Sequence, residues 1–209
     1  MQARLADTHE RIVSAALCLV ARHGYGAASI PAIARQAGVS TGLLYRHFTC
    51  KAALFDEVFR RASQREIAAC AAAARAPGDA RQRLAGVIDT FARRALKGRR
   101  LAWALLAEPV DPLIEADRVR FREPYRALLA DIIRAGIEAG DIAVQDPDTV
   151  AAALVGATAE ALIGPLSKPP RADGEGALIA TVRHFCLQSL GAPPARGGTP
   201  LPHSPERPL

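Results

Sequence analysis

The four cysteines, Cys18, Cys50, Cys70 and Cys186, are scattered and form no C-x-x-C pair. No zinc half-site is therefore written into the chain, and a reduced cytoplasm is the expected compartment. H-E-x-x-H, G-x-x-x-x-G-K-S/T and a glycine-rich dinucleotide loop are equally missing. Zinc-hydrolase, P-loop and dinucleotide chemistry have no footing here, and we expect no enzyme, no metal and no cofactor. The N-terminal stretch has neither a basic n-region nor a cleavage site. Its one apolar run, Ile12 to Ala21, is too short to cross a bilayer, and Asp7, Glu10, Arg11 and Arg22 flank it as in a soluble amphipathic helix.

What is present is 209 residues, half of them hydrophobic and rich in alanine, with glycine and proline gathered at a few joints. That composition favours an all-α chain long enough for a real core. A net charge of +6 suits an anionic partner without identifying one. Helical spacing predicts a first helix from about Thr8 to His23, with Ile12, Ala16, Leu19 and Val20 on its apolar face and Gly24 ending it. Gly24-Tyr25-Gly26 is a loop. A helix from Lys51 to about Arg75 follows later, capped by Thr49 or Cys50, and Pro77-Gly78-Asp79 is the clearest joint.

Between these lies the most informative stretch, Ser29 to Phe48. Ile30, Ile33, Ala34 and Ala37 give a short helix an apolar stripe. Ser29 should cap it through the amide of Ala32, because Pro31 has no N–H to offer. Gly38 should end it in a left-handed conformation, Val39 plugs the turn, and Ser40 caps a second helix from Thr41 to about His47. Leu44 and Phe48 face inward. Gly42, Tyr45, Arg46 and His47 remain outside. This is the layout of a helix-turn-helix whose second helix enters the major groove.

The runs RIVSAALCLVARHGYGAASI, IARQAGVSTGLLYRHF and KAALF carry a wider likeness. From about Arg11 to Leu54 the chain resembles the N-terminal domain of the TetR family of bacterial transcriptional regulators. One departure is Ala32, beside Pro31, where members often carry an acidic residue. The resemblance implies a cytoplasmic homodimer that binds double-stranded, pseudo-palindromic operator DNA. It also implies a helix-turn-helix head over 1–50, a connecting helix over 51–78 and a larger helical ligand-binding and dimerisation domain over 79–191. By the same likeness Ser29, Tyr45, His47 and Lys51 would grip the DNA backbone, while Thr41, Gly42, Leu43 and Arg46 would face base edges. Arg46 could address a guanine or a phosphate. His47 reads equally as a phosphate contact or a plain surface histidine.

Beyond the joint the residues predict helices over about 79–97 and 99–108. The basic run from Arg93 to Arg100 reads better as a solvated helix end than as a DNA contact. Pro109 and Pro112 break the chain before a long helix that Pro124 should kink and Gly140 end. If the likeness extends this far, an effector cavity lies among these helices. Phe91, Trp103, Phe121 and Tyr125 are candidates to line it, with Glu108 or Arg122 as a polar contact. Two last helices start at Pro147 and about Gly174. Leu154, Ala157, Leu162, Leu178, Val182 and Phe185 are the candidate dimer face, burial within the subunit being the alternative. The tail from Ala192, rich in proline and glycine, is expected to be disordered.

The functional expectation is a ligand-responsive repressor that leaves its operator when a small molecule binds. Its rivals are a redox-responsive regulator acting through Cys50 and a DNA binder without small-molecule control.

Overall fold

The computed structural model describes residues 2–110, 112–169 and 174–191. The expected tail, 192–209, lies outside them. Among the described residues all regular structure is helical: α1 (Gln2–His23), α2 (Ile30–Ala37), α3 (Thr41–His47), α4 (Lys51–Ala74), α5 (Ala80–Lys97), α6 (Arg99–Leu106), α7 (Pro112–Glu138), α8 (Pro147–Leu166) and α9 (Glu175–Gln188).

Helix α1 begins six residues before the expected Thr8, because Gln2 to Asp7 contain good helix formers and no breaker. The cap chemistry of α2 and α3 follows the sequence. Ser29 Oγ accepts the Ala32 N–H at 3.3 Å, Ser40 Oγ accepts the Leu43 N–H at 3.1 Å, and Gly38 closes α2 at φ +65°. Arg11 Nη2 donates to the Ala37 carbonyl at 2.6 Å, so α1 also holds the open end of α2. Helix α4 is capped by Cys50, whose sulfur accepts from the Ala53 N–H at 3.4 Å. Asp79 and Gln82 form a reciprocal capping box at the start of α5. Helix α7 continues through Pro124, losing one backbone bond there.

Three apolar clusters organise the chain. The first joins α1 to α4, with Ile12, Val20, Ile33, Leu44, Leu54, Phe55 and Phe59 buried, and it also takes in Ala104 of α6 and Ile114 of α7. The second packs the far half of α4 against α5, α7, α8 and α9 around Leu84, Ile133, Ile142 and Leu154. The third seats α5 on α8 and α9 through Ala92, Leu96, Leu162 and Ile179. Helix α4 thus belongs to two cores.

Two expectations about the C-terminal helices need correction. The inward stripe of α9 is Ile179, Val182 and Cys186, which takes Val182 out of the candidate dimer face. Leu178 is half-buried, and Phe185 points to solvent with 59% of its surface exposed. Leu154, Leu162 and Val182 turn into the subunit's own core, so they offer no outward face. Helix α8 shows outward Thr149, Ala153, Gly156, Glu160 and Gly164, with Ala157 half-buried beside them.

The basic run keeps Arg93, Arg94, Lys97 and Arg100 exposed, as a solvated helix end does, but several of its cations are paired. Arg94 is paired with Glu66, with Nε at 2.6 Å, and Arg99 with Glu175 at 2.6 Å. Arg99 Nη2 also donates to the Pro165 and Lys168 carbonyls, while Arg100 Nη2 donates to the His23 carbonyl at 3.0 Å. These cations fasten helices together.

Candidate functional site

On the helix-turn-helix, Ser29, Thr41, Gly42, Tyr45 and Arg46 are exposed together, and Tyr45 leaves half of its ring in solvent. This outward row is where a duplex would lie. Leu43 and His47 are half-buried, and together with Arg46 they border a shallow groove shared with His9, Glu10 and Arg61. The His47 ring lies 6.0 Å from that of His9, and its Nε2 is buried without a hydrogen-bond partner. His47 therefore turns toward α1. Lys51 is half-buried, with its ammonium 4.4 Å from the centre of the Tyr25 ring and 5.3 Å from that of Phe55.

Gly38 to Gly42 also fits the G-x-S-x-G spacing of a serine nucleophile. Its context is wrong for that chemistry. The run joins two helices, and the Ser40 hydroxyl is already the cap of α3.

A cavity of about 120 Å³ lies among α4, α5, α6, α7 and α8. Of the residues expected there, Phe91, Phe121, Arg122 and Tyr125 line it. Phe91 and Tyr125 meet edge to face, 5.5 Å apart. Burial pushes the Tyr125 phenol far above its ordinary value, and the neighbouring Cys70 and Glu66 add to this, so it stays a neutral donor. Trp103 is not on the wall. It packs against the third cluster between α6 and its neighbours.

Glu108 is not on the wall either. Its side chain, 13% exposed, reaches the loop between α1 and α2. Oε2 accepts the Tyr25 N–H at 3.0 Å, Oε1 accepts the Gly26 N–H at 3.4 Å, and Arg100 stands 3.6 Å from Oε1. Gly24 in that loop takes φ +83°, and a Cβ there would meet the Arg100 guanidinium at 2.3 Å. The Tyr25 ring rests edge-on against Phe55 at 4.7 Å, which completes a clasp between the end of α6 and the head.

Sequence reasoning missed Arg118. It lines the cavity at 10% exposure, and its Nη2 donates to the Glu108 carbonyl and, at 3.2 Å, to the Ala104 carbonyl. Its position four residues before Arg122 on one helix face was the available signal. Arg94 and Glu66 were missed as well; only folding brings α4 and α5 together there.

The redox candidate, Cys50, is exposed, while Cys70 and Cys186 are buried. Burial raises the Cys70 thiol to about 12, and Glu66 adds to this, so it is an inert thiol near neutrality.

Residues 12–58 match the family described as bacterial regulatory proteins, tetR family, and residues 77–161 match the tetracyclin repressor-like C-terminal domain. The chain belongs to the TetR family. It is a DNA-binding transcriptional regulator of that family. It is 34% identical over 68 residues to the HTH-type transcriptional regulator UidR of Escherichia coli (strain K12). That match covers 32% of this chain and 35% of the relative, about a third of each.

Among solved structures, the fatty acid degradation regulator FadR from Bacillus halodurans aligns with a TM-score of 0.74 and 21% identity, covering 88% of this chain and 97% of its own. FadR from Bacillus subtilis in complex with stearoyl-CoA gives 0.74 and 22%, covering 85% and 97%. RolR in complex with resorcinol gives 0.72 and 19%, covering 92% and 91%. At such identities these TetR-type relatives share the fold.

Proposed function

We propose that this TetR-family regulator is a ligand-responsive repressor: a cytoplasmic homodimer that holds a pseudo-palindromic operator and releases it when a small molecule enters the cavity among α4 to α8. The observation that carries this reading is the connection from cavity wall to head. Arg118 touches both the cavity and the Glu108 carbonyl, and the Glu108 carboxylate holds the Tyr25–Gly26 amides. Tyr25 in turn supports Lys51, which opens α4 beside the DNA-facing row. A ligand that moves α7 against α6 would shift the loop and both recognition helices. A hundredfold loss of DNA affinity needs a coupling of about 2.7 kcal/mol, within the usual range.

In this reading Tyr45, Arg46, Thr41 and Gly42 face the duplex, and Ser29 and Lys51 flank it on the backbone. Leu43 and His47 are assigned a lesser part, because both are half-buried and His47 packs on His9 of α1. The dimer face is the outward side of α8 and α9: Ala153, Gly156 and Ala157, with Phe185. Its support is the exposure of Ala153, Gly156 and Phe185, which none of the other described residues covers. Pairing has a purpose, since two recognition helices must reach major grooves about 34–36 Å apart.

The test is enrichment of bound duplexes from a random library at fixed salt, followed by anisotropy titrations. Tyr45→Ala and Arg46→Ala should each weaken the enriched site at least tenfold without lowering the melting temperature. No enriched sequence, with binding that stays strongly salt-dependent, would defeat the specific-regulator reading.

A further inference from the structure

The cavity wall is almost wholly apolar, built from Val87, Ile88, Phe91, Leu101, Phe121 and Leu129 among others. Its charged members are Glu66, Arg94, Arg118 and Arg122. Glu66 takes both hydrogen bonds of Arg94, at 2.6 and 3.0 Å, and that pair is neutral. Arg118 is paired with Glu115 at 2.7 Å and spends Nη2 on two carbonyls, yet its Nε is buried without a partner. Arg122 has no hydrogen bond or ion pair among the described residues. The Tyr125 hydroxyl has no hydrogen-bond partner there either. Arg118, Arg122 and Tyr125 follow one another at i, i+4 and i+7 on the cavity face of α7, beside Phe121. One side of a greasy cavity therefore carries an uncompensated guanidinium, a neutral phenol and a spare guanidinium N–H.

We propose that the cavity receives a small organic acid, a single carboxylate on an apolar body about the size of one ring, with Arg122 pairing the carboxylate and Tyr125 donating to it. A half-buried cation with no counter-ion on an apolar wall is completed by an anion, and the planar guanidinium fork matches a carboxylate. Donors dominate that side: the one acidic wall residue is already paired, so a cationic ligand would meet net repulsion. The volume sets the body. At about 120 Å³ the cavity is close to the roughly 150 Å³ of an apolar cavity that holds benzene. That room suits an aryl or short acyl group. The inference rests on this cavity being the effector site.

The experiment is calorimetric titration of the full-length protein with benzoate and hexanoate, and with the neutral isosteres benzamide and hexanamide. At least one acid is expected to bind tenfold or more tightly than its amide. Arg122→Gln should remove that advantage, bringing the acid and amide affinities together, and Arg122→Lys should keep most of it. The apo Arg122→Gln protein should melt like the wild type, since no partner loses a bond. Equal binding of acid and amide, acid binding indifferent to Arg122→Gln, or no binding of either acid each overturns the proposal.

Anisotropy on an enriched duplex separates this inference from the one it rests on. Arg122-dependent acid binding that leaves DNA affinity unchanged would sink the effector reading and preserve the acid site. Release by the amides alone would do the reverse.

Discussion

Glu108 receives two backbone N–H bonds from a loop 83 and 82 residues earlier in the chain. Hydrogen bonds to a charged acceptor contribute about 1.5–3 kcal/mol each, and an amide keeps part of that. Glu108→Gln should therefore lower unfolding free energy by about 1–2 kcal/mol in urea melts. Its more telling effect should be functional: ligand affinity stays, while ligand loses its grip on DNA affinity. If Glu108→Gln still releases DNA on ligand addition as the wild type does, the clasp is not the route. A second residue-scale test concerns Arg61, which bridges Glu10 of α1 and Glu57 of α4. Burial pushes the Glu57 carboxyl up, but hydrogen bonds from Arg60 and Arg61 outweigh it and hold the group below its ordinary value of 4.5. The folded value is depressed, so this stabilisation is present above pH 4.5 and is lost as pH falls through the lower folded value. Glu57→Gln should flatten the fall of melting temperature below pH 4.5; an unchanged slope would place the acid sensitivity elsewhere.

At the scale of elements, legibility follows the range of the interactions. The turn from α2 to α3 could be read because its determinants act within three or four residues: Ser29 on Ala32, Gly38 at the end of its helix, Ser40 on Leu43. The apolar stripe of α2 was read for the same reason. The cavity was legible only in part. Phe91, Phe121, Arg122 and Tyr125 were reached through their chemistry and the family likeness, but Trp103 and Glu108 were placed on the wrong surface. The rotation of α6 relative to α1 and α7 decides those two, and nothing local to α6 encodes it. The inward side of α9 was not legible for another cause. In a helix of mixed small and large apolar residues, two adjacent stripes fit helical spacing, and only packing on α5 and α8 selects Ile179 and Cys186 over Phe185. The basic run was legible as an exposed helix end but not in its pairings, because charge pattern cannot show which cations a fold will pair.

For the whole molecule, the outward face of α8 contains Gly156 and Gly164, where an added Cβ meets nothing within 4 Å in the subunit. A glycine inside an exposed helix costs about 0.5–1 kcal/mol relative to alanine. In a lone subunit Gly156→Ala should thus stabilise by that amount. Across a close two-fold contact it should instead weaken the dimer, and Gly156→Arg should abolish it. Sedimentation equilibrium with circular dichroism decides this: monomers of unchanged helicity, with DNA affinity lost, are expected for Gly156→Arg. A Gly156→Arg protein that remains dimeric would move the interface elsewhere.

Arg118 belongs to the cavity wall and also holds the carbonyl of the clasp residue. This divides the wall into two parts under different constraint. Val155 and Leu129 pack within the second apolar cluster, so under the proposed reading substitutions there retune which molecule is recognised. Under the proposed reading, a change at Arg118 alters both what is recognised and how binding reaches the head. Descendants of this chain adapting to a new signal would accordingly find their variation in the apolar lining, with Arg118 kept.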